Sequence, residues 1–423
     1  MIKIRENKAY IEDVCCLDLK KHYGTPLYVY SVGQMKKTIN ELKKAFTSKY
    51  PNTVISYASK AFICKAMCQF IEKEGLNLDV VSGGELYTAL QAGFDPSRIE
   101  FNGNNKLYEE LEMAVKNNVG KIIVDGEEEL EYLIDLSHKY RRKINLLFRV
   151  TPGVEVHTHK YITTAKEDTK FGFPLDEVLE QVKKVSDEPY LEFIGYHFHI
   201  GSQLFESQPY VNALNNITPL LKETYEICDE IKELNVGGGF GINYTDEERK
   251  SFSYFLDPIM NKIDEIFNHF KKERPVVTIE PGRSIVGEAG YTLYTVGSIK
   301  NIEGVRKYVS IDGGMTDNIR PALYGAKYDG VVANCVESEK KEVITICGKC
   351  CESGDIIRED IELPEVRTGD LILIRSTGAY GYSMSSNYNQ LLKPAVVFVE
   401  GKEHKLVVKR QSLEELIMND LEV

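Results

Sequence analysis

The chain has 423 residues, enough for two or three domains with sizeable cores. Apolar residues make up 43% and charged residues 27%, so wholesale disorder is excluded. The 64 acidic side chains outnumber the 52 basic ones, and the net charge of −12 argues against a protein that binds nucleic-acid phosphates. No apolar run approaches the roughly 20 residues of a membrane span, and the N-terminus has no apolar signal-peptide segment. We therefore expect a cytoplasmic protein that binds neither nucleic acid nor membrane.

The chain begins with a hairpin-like pattern over residues 1–30, with a turn near Glu6 and Lys8, and we expect its strands to join a second domain. From about residue 50 to 290, short β-branched runs alternate with longer segments of helical periodicity, which is typical of parallel βα units. The candidate strands are 54–58, 78–82, 99–102, 121–125, 144–150, 193–199, 234–237 and 276–280.

Helical segments follow most of these strands, over 65–74, 84–92, 106–117 and 127–139, and 175–185 carries a one-sided apolar stripe. Eight βα units in about 240 residues match the size of a closed (β/α)8 TIM barrel, which we place at residues 31–289. A doubly wound open sheet is the competing α/β architecture. We favour the barrel because candidate site residues recur just after several strands, as the catalytic face of a barrel requires.

Residues 290–423 have a different pattern. Their strand-like runs, 291–299, 307–311, 343–346, 370–375, 396–400 and 405–408, are joined by turns rather than helices. This arrangement predicts a mainly antiparallel β-domain formed by the C-terminal part of the chain together with the N-terminal strands. Residues 400–403 look like a hairpin turn, and Ser412 with Glu415 forms a capping box that predicts a short terminal helix.

The chain has nine cysteines, an odd number spread over its whole length. Without an export signal, a disulfide framework is disfavoured and reduced thiols are expected. Cys347 and Cys350 form a C-x-x-C pair that could suggest zinc. A structural site needs four ligands, however, and neither a second such pair nor a histidine pair stands at matching spacing, so we predict no metal.

Two candidate groups for chemistry follow the first and sixth barrel strands. Lys60 ends the first strand, where partial desolvation would make its amine a nucleophile toward a carbonyl, although most lysines are simply solvated at the surface. His199 ends the predicted sixth strand, with His197 on the same face. An imidazole there can stack on a flat ligand, bind a metal or transfer protons, or it can be an ordinary core histidine.

Two more groups follow the seventh and eighth strands. The glycine-rich run 237–241 would let backbone N–H groups converge on a phosphate, although it could equally serve a tight turn. Glu280 and Arg283 could receive a protonated ring nitrogen and clamp a carboxylate or phosphate, or form a structural ion pair. An amine, a ring-stacking imidazole, a phosphate cradle and a carboxylate, each at a strand end, predict a pyridoxal 5'-phosphate enzyme.

Longer motifs extend this interpretation over nearly the whole chain. They are YASKA at 57–61, DVVSGGE at 79–85, FNGN at 101–104, KFG at 170–172, HFHIGSQ at 197–203, GGG at 237–239, EPGR at 280–283, RPALY at 320–324, CESGD at 351–355 and GAYGYSMSSNYN at 378–389. With these motifs the chain resembles the fold-type III pyridoxal-phosphate decarboxylases, which have an alanine racemase-like barrel. Ser59 and Phe62 depart from the family's usual residues beside the lysine and could alter the packing around Lys60.

The resemblance implies a cofactor site. Lys60 would hold pyridoxal 5'-phosphate covalently, His199 would stack on its ring, and Glu280 would lie at the pyridine nitrogen. The remaining residues that the resemblance assigns to cofactor binding are Asp79, Ser202, Gly239, Gly282, Arg283 and Tyr380.

The resemblance also implies a substrate site that is shared between subunits. The residues that would bind substrate are Arg283, Arg320, Tyr324, Glu352 and Tyr380. Arg283, Arg320 and Tyr324 would hold its distal carboxylate. Cys351 would deliver the proton to Cα as a general acid, and Cys351 and Glu352 would come from the partner subunit of a homodimer.

The activity implied is decarboxylation of meso-2,6-diaminopimelate to L-lysine and CO2, the last step of lysine biosynthesis. The alternative substrates are ornithine, arginine and carboxynorspermidine. Ornithine and arginine lack a second carboxylate and would leave Arg320 as an unpaired, desolvated cation, which is costly. A regulatory homologue without activity should have lost Lys60 or Cys351, and both are present.

Overall fold

The computed structural model describes residues 2–154, 169–337 and 341–423. The chain forms two compact units. The barrel unit comprises Ile39–Gly241 and Arg249–Ser284, and the β-unit comprises Met1–Thr38, Ile242–Glu248 and Ile285–Val423. No helix in the three described ranges is both long and apolar enough to cross a membrane.

The N-terminal elements are β1 (Ile2–Arg5), β2 (Lys8–Ile11), β3 (Val14–Cys15), α1 (Cys16–Tyr23), β4 (Leu27–Ser31) and α2 (Val32–Ala45). β1 and β2 pair antiparallel across a turn in which Glu6 and Asn7 have φ of 49° and 59°, so the predicted hairpin is confirmed. β1, β2 and β3 form a small sheet of their own, and the N-terminal strand that enters the large sheet is β4.

The barrel unit contains a closed ring of eight parallel strands, which confirms the predicted fold class. The strands are β5 (Thr53–Ala58), β6 (Asn77–Val80), β7 (Ile99–Phe101), β8 (Lys121–Val124), β9 (Ile144–Arg149), β10 (Leu191–His197), β11 (Glu233–Asn235) and β12 (Val276–Ile279). The helices are α3 (Lys65–Lys73), α4 (Gly83–Gln91), α5 (Tyr108–Lys116), α6 (Glu127–Tyr140), α7 (Val178–Ser186), α8 (Gln208–Thr224) and α9 (Phe252–Phe270). Pairing of β12 with β5 closes the ring.

The remaining elements are α10 (Arg283–Val286), β13 (Gly290–Ile302), β14 (Arg306–Ile311), α11 (Arg320–Tyr324), β15 (Gly330–Val332), β16 (Lys341–Cys347), β17 (Ile356–Pro364), β18 (Leu371–Ile374), β19 (Ala395–Glu400), β20 (Glu403–Val408) and α12 (Leu413–Leu416). The large sheet runs β17-β16-β14-β13-β4-β19-β20, with β18 on β13 and β15 on β18. Most of its pairs are antiparallel, as predicted, but β4 with β19 and β14 with β16 are parallel, so the sheet is mixed.

Candidate active site

The predicted cofactor residues of the barrel unit lie at one mouth of the barrel. Asp79 lies on β6, and the others come after strand ends: Lys60 after β5, His199 and Ser202 after β10, Gly239 after β11, and Glu280, Gly282 and Arg283 after β12. Around the barrel the strands β10, β11, β12, β5 and β6 are consecutive neighbours. Because the carboxyl ends of parallel strands share one face, these side chains occupy one side of the mouth.

Lys60 lies in a single 3-10 turn directly after β5. Before it, the buried Ser59 hydroxyl donates a hydrogen bond of 2.6 Å to the Glu85 carboxylate. Phe62, two residues after the lysine, has a fully buried side chain, and its carbonyl accepts a hydrogen bond of 2.8 Å from the Tyr57 hydroxyl. Both unusual neighbours of the lysine therefore hold this turn, one through a hydrogen bond and the other through packing.

Glu280 is almost completely buried and has two partners. The Asn235 amide donates to Glu280 Oε1 at 2.8 Å, and His197 Nε2 lies 3.1 Å from the same oxygen. Burial alone would raise the pKa of Glu280, but His197 and Lys60 outweigh it and lower the pKa to about 2. An ionised carboxylate at this position can accept a hydrogen bond from a protonated ring nitrogen.

His199 adopts a state suited to stacking. The Gly238 N–H donates to His199 Nδ1 at 3.2 Å, so this nitrogen is an acceptor and carries no proton. Burial, and then the positive charge of Lys60, lower the pKa of His199 well below its usual range. The ring is therefore a neutral, flat imidazole.

Two positions of the glycine-rich run after β11 do not tolerate a side chain. Gly237 and Gly239 have φ of +69° and +108°, in the region that other residues rarely adopt. A Cβ on Gly239 would lie 2.3 Å from the Gly201 carbonyl oxygen, and one on Gly237 would lie 2.7 Å from His199 Nδ1. The backbone here thus approaches the loop after β10 too closely for a methyl group.

Arg283 and Ser202 provide donors on the same side of the mouth. Arg283 is buried, and its Nη2 and Nε donate to Ser202 Oγ at 3.0 and 3.2 Å. Gly282 allows this loop to lie against the lysine turn, because a Cβ there would be 2.9 Å from the Ala58 carbonyl oxygen. An arginine, a hydroxyl and a glycine-rich backbone together suit a phosphate group.

This donor set fits pyridoxal phosphate. The mouth provides an amine, an ionised carboxylate, a neutral imidazole and a glycine cradle that a Cβ would fill. Asp79 is fully buried, and neither of its carboxylate oxygens has a hydrogen-bond partner among the described residues. Burial, reinforced by Glu280, raises the pKa of Asp79 well above its usual range, which favours the protonated acid.

Our sequence analysis missed three buried polar residues of this mouth. Arg149, at the end of β9, lies 3.5 Å from Asp125, whose carboxylate accepts the Gly172 N–H at 2.9 Å. Asn235, on β11, bonds Glu280 as described above. These residues could have been recognised from the sequence, because each is a charged or amide residue within or just after an otherwise apolar strand. A polar side chain at such a position needs a buried partner.

Arg320 belongs to the β-unit, on α11. Its guanidinium carbon lies 4.8 Å from the ring centre of Tyr244, 5.8 Å from that of Tyr324 and 5.7 Å from that of Tyr328. Arg320 is 5% exposed, and its Nε has no hydrogen-bond partner in the described part of the chain. Burial acts to lower its pKa, but the tyrosines outweigh this and raise it. A buried cation with an open donor is suited to a carboxylate.

Cys351 and Glu352 lie on an exposed loop of the β-unit between β16 and β17. The Cys351 N–H donates to the Asn389 side-chain oxygen at 2.6 Å. The Glu352 carboxylate accepts the Gly354 N–H at 3.2 Å. Tyr380, also in the β-unit, follows β18 and has a φ of 60°. These residues thus belong to a different unit from those at the barrel mouth.

Asp355 is a buried residue of this loop that belongs to the CESGD motif, but the motif alone assigned it no role. Asp355 is 2% exposed, and its carboxylate accepts the N–H groups of Met315 at 2.6 Å and of Cys350 at 2.8 Å. It therefore fixes the backbone immediately before Cys351.

Comparison with known proteins identifies the family of the chain. Residues 36–287 match the family model of the pyridoxal-dependent decarboxylase, pyridoxal binding domain. The diaminopimelate decarboxylase of Bacillus subtilis (strain 168) is 49% identical over 97% of this chain and 94% of its own length. That of Staphylococcus aureus (strain COL) is 45% identical over 99% of both chains. The crystal structure of the M. jannaschii diaminopimelate decarboxylase with L-lysine has a TM-score of 0.92 and 34% identity, covering 100% of this chain and 98% of that one.

Proposed function

The chain belongs to the diaminopimelate decarboxylases, a group of the pyridoxal-dependent decarboxylases, and from this premise we propose how its residues share the reaction. It decarboxylates diaminopimelate, which we take to be the meso-2,6 isomer, to L-lysine and CO2. Pyridoxal phosphate, when bound, supplies the electron sink for the electrons left behind by the departing carboxylate.

In this proposal the barrel unit binds the cofactor. Lys60 holds it covalently, His199 covers its ring as a neutral imidazole, and Glu280 accepts the hydrogen bond of its ring nitrogen. The lowered pKa of Glu280 supports the last role, because an ionised carboxylate forms a stronger, charge-assisted hydrogen bond with a protonated ring nitrogen than a neutral acid does. The residues that would hold the phosphate or contact the cofactor elsewhere are Asp79, Ser202, Gly239, Gly282, Arg283 and Tyr380.

The observation that carries the choice of substrate is the environment of Arg320. Arg320 Nη1 donates to the Tyr328 hydroxyl, whereas the buried Nε has no hydrogen-bond partner among the described residues, and the distal carboxylate of diaminopimelate would supply an acceptor for it. Arg283 and Tyr324 would assist Arg320, and Glu352 would bind the distal ammonium. Ornithine and arginine have no such carboxylate, so each would leave Arg320 buried and unpaired.

The proton that replaces the carboxylate comes from Cys351 in this proposal. After CO2 leaves, the thiol gives its proton to Cα and is reprotonated from solvent. We propose that Cys351 and Glu352 act at the partner's site in a homodimer. Their position on an exposed loop supports this, because an exposed thiol is available to a second chain.

A substrate assay tests the activity. CO2 release is measured from meso-diaminopimelate, ornithine, arginine and carboxynorspermidine, and we expect diaminopimelate to be used best. Arg320→Met should lower kcat/KM for diaminopimelate by roughly 10²–10³-fold, as expected for removing one partner of a buried charge pair. Arg375→Ala is the control, since Arg375 forms an exposed ion pair with Asp329 at 2.9 Å and is assigned no role in the site. Faster release from ornithine or arginine would contradict the substrate assignment.

Complementation tests the shared site. Lys60→Ala and Cys351→Ala proteins should each be inactive, and mixing them should restore about a quarter of wild-type activity, because half of the randomly formed twofold dimers contain one intact site. In the control, Cys351→Ala is mixed with the Lys60→Ala/Cys351→Ala double variant, and no activity should return. Failure of the first mixture to recover activity, although mixed dimers form, would exclude a site shared in this way.

A further inference from the structure

Asn235 occupies the centre of a polar network inside the barrel. It is fully buried on β11, between His197 on β10 and Thr278 on β12. Its side-chain nitrogen donates to Glu280 Oε1 at 2.8 Å and to Glu100 Oε2 at 2.9 Å. All the hydrogen atoms of this amide are thus directed at two carboxylates.

The orientation of this amide is fixed by a third hydrogen bond. The backbone N–H of Gly237, the first residue of the glycine run, donates to Asn235 Oδ1 at 2.9 Å. A backbone N–H can only donate, so the oxygen of the amide must face Gly237 and the nitrogen must face the carboxylates. One side chain therefore connects the glycine run to the carboxylate proposed to receive the ring nitrogen.

The far side of the network explains why an amide is needed between these carboxylates. Glu100 is fully buried, and its other oxygen lies 3.6 Å from the ammonium of Lys121, which also pairs with Glu233. Burial raises the pKa of Glu100 to about 7, so it exchanges its proton near neutral pH. Without the Asn235 donors, these two buried carboxylates would lose the hydrogen-bond donor that they share, and the pKa of one of them would tend to rise.

We propose that Asn235 is a positioning residue for the cofactor: it orients the Glu280 carboxylate and keeps it available to the ring nitrogen. This inference rests on the proposed function, which assigns the ring nitrogen to Glu280. Asn235 itself acts through Glu280 and through Gly237. Replacing it should therefore weaken the part of cofactor affinity that depends on the ring nitrogen.

The test compares two cofactors on full-length protein from which the cofactor has been removed. One is pyridoxal 5'-phosphate, and the other is 1-deazapyridoxal 5'-phosphate, in which carbon replaces the ring nitrogen. In Asn235→Leu, we expect the affinity for pyridoxal phosphate to fall about tenfold or more, the value for a hydrogen bond to a charged group. The affinity for the deaza analogue should change by less than about threefold, since the lost interaction is absent from it.

Two further variants make the result decisive. Asn235→Ser is smaller and polar, and it gives the same comparison if Asn235→Leu does not fold. Thr278→Val is the matched control: Thr278 is equally buried in the same network, but its hydroxyl bonds Glu233 Oε1 at 2.6 Å. We expect Thr278→Val to bind both cofactors with near wild-type affinity.

Equal weakening for both cofactors would show a general structural role and overturn the proposal. Unchanged affinity for pyridoxal phosphate in both Asn235 variants would overturn it as well. The readout is binding, so the result does not depend on whether the wild-type protein decarboxylates diaminopimelate. Loss of the proposed function would instead appear in the CO2 assay of the wild-type chain.

Discussion

Asp355 offers a way to disturb the proposed proton donor without touching the cofactor site. Its two carboxylate oxygens accept the N–H groups of Met315 and Cys350, and a Cβ on Gly348 would lie only 2.1 Å from the carboxylate. In Asp355→Asn the shape is kept, but an NH2 group replaces one oxygen. One of the two half-buried N–H groups then faces another donor instead of an acceptor.

The expected magnitude follows from these two hydrogen bonds. A hydrogen bond to a charged group contributes about 1.5–3 kcal/mol, so losing one and weakening the other should lower the free energy of unfolding by about 2–4 kcal/mol. Cys350 directly precedes Cys351, so loosening its backbone displaces the thiol. A misplacement of about 1 Å can cost roughly 100-fold, and we expect kcat to fall by 10-fold to 100-fold. Cofactor affinity should stay within about twofold, since neither hydrogen-bond partner of Asp355 is assigned to the cofactor.

The assay measures kcat for diaminopimelate, cofactor affinity and urea unfolding on the same preparations. Asp360→Asn is the matched control on β17, because Asp360 is 60% exposed in its side chain and its ion pair with Arg306 spans 3.5 Å. An exposed pair of this kind contributes at most about 1 kcal/mol. If Asp355→Asn keeps the kcat of the control while it loses stability, Asp355 does not position Cys351 and the reasoning fails.

Burial raises the pKa of Asp317 to about 7. Between about pH 4 and pH 7 the folded chain therefore binds a proton at Asp317 more tightly than the unfolded chain does. In this range the free energy of unfolding falls by up to about 1.4 kcal/mol for each unit by which the pH rises. Asp317→Asn should flatten this slope in urea unfolding at pH 5 and pH 8, and an unchanged slope would contradict the assignment. Gly239→Ala places a Cβ 2.3 Å from the Gly201 oxygen and should weaken cofactor binding by roughly 10–100-fold in a titration. Gly93→Ala, with a φ of +79° and no atom within 4 Å, is its control, and an equal effect would exclude the clash. Lys60→Ala should abolish the visible absorbance of bound cofactor, and absorbance that survives dialysis would refute the covalent role.

The barrel could be predicted because its strands are buried on both faces and therefore consist of short apolar runs. Two of its helices escaped the same analysis. α8 contains Pro219 and α9 contains Pro258, and a proline removes a helical hydrogen bond, so the sequence looks interrupted. The buried apolar faces of these helices compensate in the folded chain. Strand β17 was missed because the charged residues 358–360 lie in its middle, as is common on an edge strand.

The predicted barrel strands were also too long, and the error fell on the site. The prediction continued β12 to residue 280 and β10 to residue 199, whereas the strands end at Ile279 and His197. The Glu280 N–H donates instead to the Gly237 carbonyl, in the loop after β11, at 2.9 Å. The periodicity of apolar residues reports which side chains are buried, and it does not show where the backbone hydrogen bonds between strands end.

Buried polar partnerships were beyond the sequence for a different reason. The tyrosines around Arg320 include Tyr244, which is distant in sequence but belongs to the same unit. Likewise, Asn235 meets Glu100 only because the barrel closes. Such pairs depend on the tertiary fold, and no local spacing encodes them.

The distribution of charge in the barrel explains how a ligand with two different ends would be oriented. Glu280 is an ionised carboxylate at the mouth, and behind it Glu100 and Glu233 share the ammonium of Lys121, so this region attracts a cation. The rim on the same side carries the guanidinium of Arg283 beside Ser202. A pyridinium is attracted to the first region and a phosphate to the second, and the reverse orientation would place like charges together in a low dielectric. The net charge of −12 says nothing about this, because a site depends on where buried charges lie rather than on their sum.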